Sequence, residues 1–470
     1  MIKNQKDSEP KKVDLLLINP STDYIKDQKD TLHRRVEKDV VIQNSPSPGI
    51  AYLSAIAKHN NLNAKFIDMV VESISIDKLF QYIDVSMPTL IGFTALTVQI
   101  KSAGLIAKEI KKQFPDILIC VGGTHVTVMP KETLEEFDAF DFVVCGEGEL
   151  VILNIFDNLK KGLPLSTIKG VVTRGKTDFS YDSISDLDSL PFPDWEELPL
   201  NKYGGIYPHR TKLELPVWTS RGCPSSCIFC VRPFGRHRRH RSVMSVISEI
   251  ERNINDFGCE SIAFIDETFI ADLKWSTELF NSIIQKGLNK KITWSCETRV
   301  DTSSPELFRL MKESGCYYVF FGLENADDAI LNNARKRITV SQIKKAVEWA
   351  KSSGIIVSGS FIIGLPGETE ETVRKSIKLA QELDLYSTTF PIAVPYPGTV
   401  LRKMAIDHEY GLRILSNNWE NYDKQYPGVM ESEQLSIERR RELQKLAYDL
   451  NPKKKIKEYV KKLNEHIYSE

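Results

Sequence analysis

Three cysteines lie close together in the sequence, and their side chains could hold a metal centre. Cys223, Cys227 and Cys230 are separated by three and two residues, so one loop can wrap three thiolates around a single centre. A [4Fe–4S] cube normally takes four cysteines, and a cube held by three leaves one iron open to a substrate or cosubstrate. The alternative is a zinc ion with His237 or His240 as fourth ligand, although the spacing differs from the paired C-x2-C of common zinc folds.

The other five cysteines are scattered. Cys120, Cys145 and Cys296 lie in or beside apolar, strand-like runs, where a buried free thiol is expected, and Cys259 and Cys316 each adjoin a glycine. One cluster among scattered thiols indicates a metal site in a reducing compartment rather than a disulfide framework.

Composition narrows the class of protein. The 470 residues include 62 Lys+Arg and 63 Asp+Glu, and 41% hydrophobic with 27% charged residues is typical of a globular chain. A formal charge of −1 gives no global field to attract nucleic acid or an anionic membrane, so neither partner is expected. Nothing approaches the ~20 apolar residues of a membrane span, and residues 1–12 lack the apolar core of a signal peptide. We therefore expect a cytoplasmic protein.

Short apolar runs alternate with amphipathic stretches, which is typical of α/β folds with parallel sheets. Residues 13–160 predict an open, doubly wound domain, and residues 215–400 predict a partial barrel of six βα units. Residues 161–214 are predicted to be a connector with one strand at 168–173, and residues 401–470 a small helical C-terminal segment. The predicted barrel strands are 215–220, 261–266, 291–296, 317–322, 355–363 and 387–394.

Polar groups follow the predicted barrel strands at the points where the strands end. In a parallel barrel such residues face the mouth, where active sites form. The cysteine loop follows the first of these strands. The groups after the next five strands are Asp266-Glu267-Thr268, Glu297-Thr298-Arg299, Glu324, the turn from Gly364 to Thr369, and the turn from Pro395 to Thr399.

The cysteine loop and the barrel resemble the radical S-adenosylmethionine (SAM) superfamily, whose C-x3-C-x2-C signature has an aromatic residue before the last cysteine, here Phe229. The resemblance implies a partial (β/α)6 barrel of TIM type and a [4Fe–4S] cluster on Cys223, Cys227 and Cys230. The open iron would chelate the amino and carboxylate groups of SAM. Reductive cleavage of SAM would then give a 5′-deoxyadenosyl radical, which requires an external electron donor of flavodoxin or ferredoxin type.

The same resemblance implies positions for SAM. Asp266 and Glu267 would contact its amino group, although the glycines of the family's GGE-type motif are missing, and Arg299 would pair with its carboxylate. Glu324 and the turn beginning at Gly364 would hold ribose and adenine. The basic run 236–241 is similar to the R-x-R-S segment of cobalamin-dependent members.

The N-terminal domain resembles the Rossmann-like cobalamin-binding module of one radical SAM subclass, through segments 47–53, 92–94, 121–125 and 144–149. In an open sheet the ligand lies beyond the carboxyl ends of the strands. Two glycines there would let the backbone approach a bulky nucleotide tail, and threonines would donate hydrogen bonds. The cobalamin-binding residues implied are Thr94, Thr97, Gly122, Gly123, Thr124, His125 and Glu147.

One motif of histidine-ligating cobalamin modules is missing. They carry D-x-H-x-x-G after the first strand, whereas here Asn19 is followed by Pro-Ser-Thr-Asp and the loop has His33 as its sole histidine. Either cobalt lacks a protein axial ligand, as is usual in the subclass, or the domain has lost cobalamin.

These features predict a cobalamin-dependent radical SAM enzyme, a C-methyltransferase acting on an unidentified small molecule. Relatives with the same two cofactors also catalyse ring contraction and cyclisation, so a cyclase or ring-rearranging enzyme is one alternative. A non-catalytic cobalamin-binding sensor with a structural metal is another. Methylthiotransferases of transfer RNA need a second three-cysteine cluster at the N-terminus. Here just Cys120 and Cys145 precede residue 223, which argues against this class of enzyme.

Overall fold

The computed structural model describes residues 12–21, 45–176, 178–204, 213–423, 428–455 and 458–459. The chain divides into two compact units. The first reaches Tyr203 but leaves out Asp186–Asp188, and the second contains those three residues and the chain from Gly204 onward. Within the described ranges, no helix combines the length and the apolar character that crossing a membrane requires.

The first unit contains a six-stranded sheet in the order β2-β1-β3-β4-β5-β6. Its strands are β1 Leu15–Asn19, β2 Ala64–Asp68, β3 Leu90–Thr94, β4 Leu118–Gly122, β5 Phe142–Val144 and β6 Val171–Thr173. All neighbours pair in parallel except β5 and β6, which are antiparallel. The apolar strands are buried because helices cover both faces of a parallel sheet. The predicted doubly wound α/β fold is confirmed.

Within the described residues, six helices surround this sheet, and their ends follow local chemistry. Pro48 opens the first of them, where a missing N–H costs nothing, and Gly162 ends the last in the left-handed conformation. The helices are α1 Pro48–His59, α2 Ile76–Ser86, α3 Ile100–Gln113, α4 Thr124–Val128, α5 Pro130–Glu136 and α6 Gly148–Lys161.

The stretch 161–214 differs from the predicted connector. Its strand β6 completes the first sheet by pairing with β5. Further along, Asp194 accepts a hydrogen bond from Ser54 of α1 at 2.6 Å and pairs with Lys58 at 2.7 Å. Most of this stretch therefore packs as part of the first unit, because its apolar and acidic residues find partners there.

The second unit contains six parallel strands in the order β14-β13-β12-β11-β10-β7. They are β7 Glu214–Val217, β10 Ser261–Phe264, β11 Thr293–Thr298, β12 Cys316–Glu324, β13 Ile356–Phe361 and β14 Ser387–Thr389. Two short ladders accompany them, β8 Ser220–Arg221 with β9 Arg239–His240, and β15 Arg413–Ile414 with β16 Met430–Glu431. Strands β7 and β14 are the edges, as expected for a partial (β/α)6 barrel.

Helices follow most of these strands and cover the outer face. On β12, Val319 and Phe321 are fully buried beneath helices, whereas the intervening Phe320 is partly exposed on the inner face. The helices are α7 Val243–Phe257, α8 Leu273–Gln285, α9 Pro305–Glu313, α10 Asp328–Asn333, α11 Val340–Ser352, α12 Glu370–Leu383, α13 Val400–Ile406 and α14 Ile437–Leu450.

Candidate functional site

The cysteine loop begins at a glycine that no other residue could replace without moving the backbone. Gly222 has φ +95°, and a Cβ added there would lie 2.2 Å from the carbonyl oxygen of His237. This close approach brings residues 235–237 against the loop, and the Cys223 N–H donates to the Gly235 carbonyl at 3.1 Å. The loop is therefore shaped by a neighbouring backbone segment as well as by its own sequence.

The middle of the loop is anchored to the helices beyond β12 and β14. The Ile228 N–H donates to the Ala334 carbonyl at 3.1 Å, and the Ile228 carbonyl accepts from the Leu401 N–H at 2.9 Å. Phe229, the aromatic residue of the signature, packs against a buried cluster that includes Ala334 and Leu365. These contacts hold the loop at the carboxyl end of the barrel strands.

All three loop cysteines are free thiols. Cys223 and Cys227 are buried and Cys230 is exposed. The donor set suits an iron cube, which binds each thiolate through a different iron and so needs no convergence on one point. Within the described part of the chain, no three His, Cys, Asp or Glu side chains are gathered to hold a single ion.

Cys120, Cys145 and Cys296 are buried, as predicted, and so are Cys259 and Cys316. Burial raises the pKa of Cys120, Cys145 and Cys259 to about 12. These thiols therefore stay protonated and unreactive near neutral pH.

Arg299 lies against one of the cluster cysteines. Its Nη1 is 3.9 Å from the Cys227 Sγ. Arg299 Nε and Nη2 donate hydrogen bonds to the two carboxylate oxygens of Asp301, at 2.9 Å and 2.7 Å, and Nη2 also donates to the Lys336 carbonyl oxygen. The two donors of Arg299 that could pair with the SAM carboxylate are thus occupied by Asp301. The remaining Nη1 faces the sulfur of Cys227.

Lys336 is a buried residue of the site that the sequence analysis missed. Its Nζ lies 2.7 Å from Glu324 Oε1, and both side chains are buried. Burial lowers the pKa of Lys336, but Glu324 and then the Cys227 thiol outweigh it, so the pKa is raised. Glu324, predicted to hold ribose or adenine, is therefore joined to a cation beside the cysteines.

Asp266 and Glu267, predicted as a pair, have different surroundings. The Asp266 carboxylate accepts hydrogen bonds from the Thr219 hydroxyl at 2.8 Å and from the Ser220 hydroxyl at 2.5 Å. It thereby ties the end of β10 to the start of the cysteine loop and is not left to meet a ligand. Next to it, the Thr268 hydroxyl lies 3.6 Å from the Cys223 Sγ.

Glu267 retains its binding capacity. Both carboxylate oxygens are buried without a well-formed hydrogen bond within the described residues. Burial raises the pKa of Glu267 to about 7, although the backbone N–H of Gly222 favours the charged form. A buried carboxylate lacking partners is costly unless a ligand supplies a donor. Of the predicted pair, Glu267 is thus the residue whose carboxylate oxygens could meet a donor of a ligand.

A buried arginine packs against the turn at Gly364. Gly364 has φ +97°, and a Cβ there would lie 2.2 Å from Nη1 of Arg440, a buried residue of α14. The Gly364 N–H donates to Glu368, which also accepts from Asn325 Nδ2 at 2.5 Å. The turn predicted to hold ribose and adenine is thus supported by Arg440, a residue much later in the chain.

In the first unit, the carboxyl edge of β3 and β4 brings several predicted residues together. Gly123 has φ +109°, and a Cβ there would lie 2.7 Å from the Ala95 carbonyl oxygen. His125 is buried, and its Nδ1 is 3.3 Å from the Thr97 hydroxyl. These contacts form a cradle in which backbone and neutral side chains lie close together.

The other predicted residues flank this cradle. Thr94 ends β3, Gly122 ends β4 and Thr124 begins α4, and each keeps part of its surface exposed. Glu147 is buried at the position preceding α6. His33 lies outside the described residues. The glycines and hydroxyls at a sheet edge suit a large cofactor with a polar rim.

Comparisons with known proteins match a family to each unit. Residues 218–380 match the radical SAM superfamily, and residues 36–155 match the B12 binding domain. The uncharacterized methyltransferase PH0819 of Pyrococcus horikoshii is 35% identical over 432 residues, covering 90% of this chain and 91% of that protein. The anaerobic magnesium-protoporphyrin IX monomethyl ester cyclase of Cereibacter sphaeroides is 30% identical over 372 residues, covering 76% of this chain and 60% of the cyclase.

A solved structure shares the fold. The radical SAM methyltransferase TsrM from Kitasatospora setae, with cobalamin and a [4Fe–4S] cluster bound, aligns with a TM-score of 0.68 at 18% identity over 88% of this chain and 85% of TsrM. Together with the Pyrococcus relative, these matches show that the chain belongs to the radical SAM enzymes that carry a cobalamin-binding domain.

Proposed function

We propose that the protein is a C-methyltransferase that transfers a methyl group to a carbon atom of a small molecule. The observation that carries the proposal is the presence, in one chain, of a three-cysteine loop flanked by buried charges and a glycine-lined sheet edge. When bound, the cluster would supply reductive SAM cleavage and cobalamin would carry the methyl group, since protein side chains cannot perform these steps. The Pyrococcus relative named as a methyltransferase supports the choice.

The residues of the chain would bind and orient the cofactors. Cys223, Cys227 and Cys230 would hold the cluster, and Glu267 would receive the SAM amino group. The turn at Gly364 would support the adenosine portion. In the first unit, Gly123 and its neighbours would hold cobalamin. A flavodoxin- or ferredoxin-type protein would deliver the electron.

The protein cannot be assigned to methyl transfer by its cofactors alone, because a cyclase uses the same ones. The cyclase reading has one specific support, the 30% identity to the Cereibacter enzyme, of which the chain spans 60%. A label on the SAM methyl group separates the two reactions.

The test uses the full chain, reconstituted anaerobically with iron, sulfide and cobalamin. It is incubated with SAM carrying a tritiated methyl group, reduced flavodoxin, and the low-molecular-mass extract of the source cells. A methyltransferase forms 5′-deoxyadenosine and moves tritium into a small molecule other than SAM, methionine and cobalamin. A cyclase forms 5′-deoxyadenosine without moving tritium, and a sensor does neither, so either result would overturn the proposal.

A further inference from the structure

Arg238 is a partly buried cation beside the cysteine loop. Its Nη2 donates to the Phe269 carbonyl at 3.0 Å. Its Nε and Nη1 are buried and have no hydrogen-bond partner among the residues that the structure describes. Buried donors of a charged group that lack acceptors are costly, so a ligand is expected to provide them. An anionic oxygen would satisfy these donors and pair with the charge.

The charges around Arg238 belong to the cluster site. Burial disfavours its protonated form, and the attraction of Asp266, the Cys223 thiol, Asp272 and Glu267 opposes that effect. Asp266 is committed to Thr219 and Ser220, so it does not supply the missing acceptors. Arg238 therefore lies in the field of acidic groups around the cysteine loop, and its Nε and Nη1 have no hydrogen bond to any described residue.

Glu267 is the natural counterpart of Arg238. Each influences the ionisation of the other, yet Arg238 Nε and Nη1 and both Glu267 oxygens lack well-formed hydrogen bonds in the described chain. An acidic and a basic side chain that lie near each other, with buried polar atoms that do not pair, suit a ligand carrying both charges. The head of an α-amino acid is such a group, with an ammonium for the carboxylate and a carboxylate for the guanidinium.

We propose that Arg238 binds the α-carboxylate of SAM while Glu267 binds its α-amino group. The inference rests on the proposed function insofar as that function requires SAM. It replaces Arg299 in the carboxylate role, because Asp301 occupies the bidentate edge of Arg299 and the remaining Nη1 faces Cys227. Arg299 then acts on the cysteine side of the site.

The experiment compares SAM with decarboxylated SAM, which keeps the amino group and lacks the carboxylate. Equilibrium dialysis measures the Kd of each ligand for the reconstituted full chain, and iron content is checked for every variant. Arg238→Gln should weaken SAM binding by about 10- to 100-fold and change binding of decarboxylated SAM by less than about twofold. Arg299→Gln is the matched control and should preserve the preference of the wild type for SAM.

Arg238→Lys keeps the charge and should preserve a reduced preference for SAM, which guards against misfolding of the glutamine variant. If Arg238→Gln weakened both ligands equally, or left SAM binding unchanged, the inference would be overturned. Loss of the preference in Arg299→Gln alone would return the carboxylate to Arg299. A wild-type chain that holds its cluster and binds no SAM would instead overturn the proposed function.

Discussion

The two units build their sites from different kinds of group. At the sheet edge of the first unit, Gly123 and its neighbours form a cradle of backbone, hydroxyl and imidazole groups, with Glu147 as a buried carboxylate beside it. Around the cysteine loop of the second unit, the charged side chains of Arg299 and Lys336 lie close to the Cys227 thiol, and Glu267 lies near the backbone of Gly222 at the start of the loop. A large cofactor can be held by area and shape, whereas thiolates and a zwitterion require compensating charge.

The difference predicts two kinds of fragility. Removing one partner of a buried ion pair leaves an uncompensated charge, so the second unit is expected to be sensitive to loss of charge. Adding a methyl group where backbones touch forces the chain apart, so the first unit is expected to be sensitive to added volume.

The largest effect is expected from Cys227→Ala. Three thiolates are the full set that the loop offers, so removing one should abolish SAM cleavage and reduce iron content, while cobalamin binding persists because it depends on the first unit. Iron analysis, 5′-deoxyadenosine formation and cobalamin absorbance measure the three quantities. Cys120→Ala, which removes a buried thiol of the first unit, is the control and should keep its iron. Retained SAM cleavage in Cys227→Ala would refute the cluster assignment.

Lys336→Met should be the next most damaging change. It leaves Glu324 buried without its cation, which typically costs about 3–5 kcal/mol. The midpoint of thermal unfolding of the second unit should fall, and the double variant Lys336→Met, Glu324→Gln should recover much of the loss. Equal instability of the single and double variants would show that the ion pair is not the reason.

Gly123→Ala tests the first unit in the same way. The methyl group would meet the Ala95 carbonyl at 2.7 Å at a positive φ, so cobalamin affinity should fall by about 10- to 100-fold while iron content is unchanged. Gly162→Ala is the matched control, since Gly162 also has a positive φ (+64°) but nothing lies within 4 Å of the added carbon. If both variants bound cobalamin as tightly as the wild type, the assignment of the cobalamin site to the Gly123 cradle would be wrong.

The smallest expected effect concerns Glu368, which supports the Gly364 turn. Burial raises its pKa from 4.5 to about 7, against the hydrogen bonds from Gly364 and Asn325 and the charge of Arg440. Because the folded state holds this proton more tightly, the contribution of Glu368 to stability is fullest below pH 4.5 and declines as pH rises to about 7. The loss should be about 1–3 kcal/mol.

Glu368→Gln should therefore remove this dependence. The Tm of the wild type relative to Glu368→Gln is expected to fall between pH 5 and pH 8 by a few degrees, about 2–4 °C per kcal/mol. The exposed Glu371, in the first turn of the helix α12 that follows, provides the control, and Glu371→Gln should follow the wild type at every pH. A constant Tm difference between the wild type and Glu368→Gln would contradict the assignment of a buried carboxyl.

The sequence predicted features that are local in the chain. The three cysteines share one loop, and most of the strands show as short apolar runs because both faces of a parallel sheet are buried. The predicted strand 168–173 was recognised, but its antiparallel pairing with β5 was not, since partner choice depends on tertiary packing.

Side-chain partners across the fold were beyond the sequence. Asp266 and Glu267 are adjacent acidic residues, yet Thr219 and Ser220 donate hydrogen bonds to Asp266 and none to Glu267. Lys336 lies in a charged turn between α10 and α11, flanked by Arg335 and Arg337 at positive φ, which reads as an exposed loop. Its burial depends on Glu324, twelve residues earlier in the chain.

One measurement tests the central claim most directly, that the second unit holds an iron cube with one iron open to SAM. The anaerobically reconstituted full chain is analysed for metals, reduced, and examined by electron paramagnetic resonance before and after SAM is added. About four irons per chain and a cluster signal that changes on adding SAM are expected. Zinc in place of iron, or a cluster signal that SAM leaves unchanged, would contradict it.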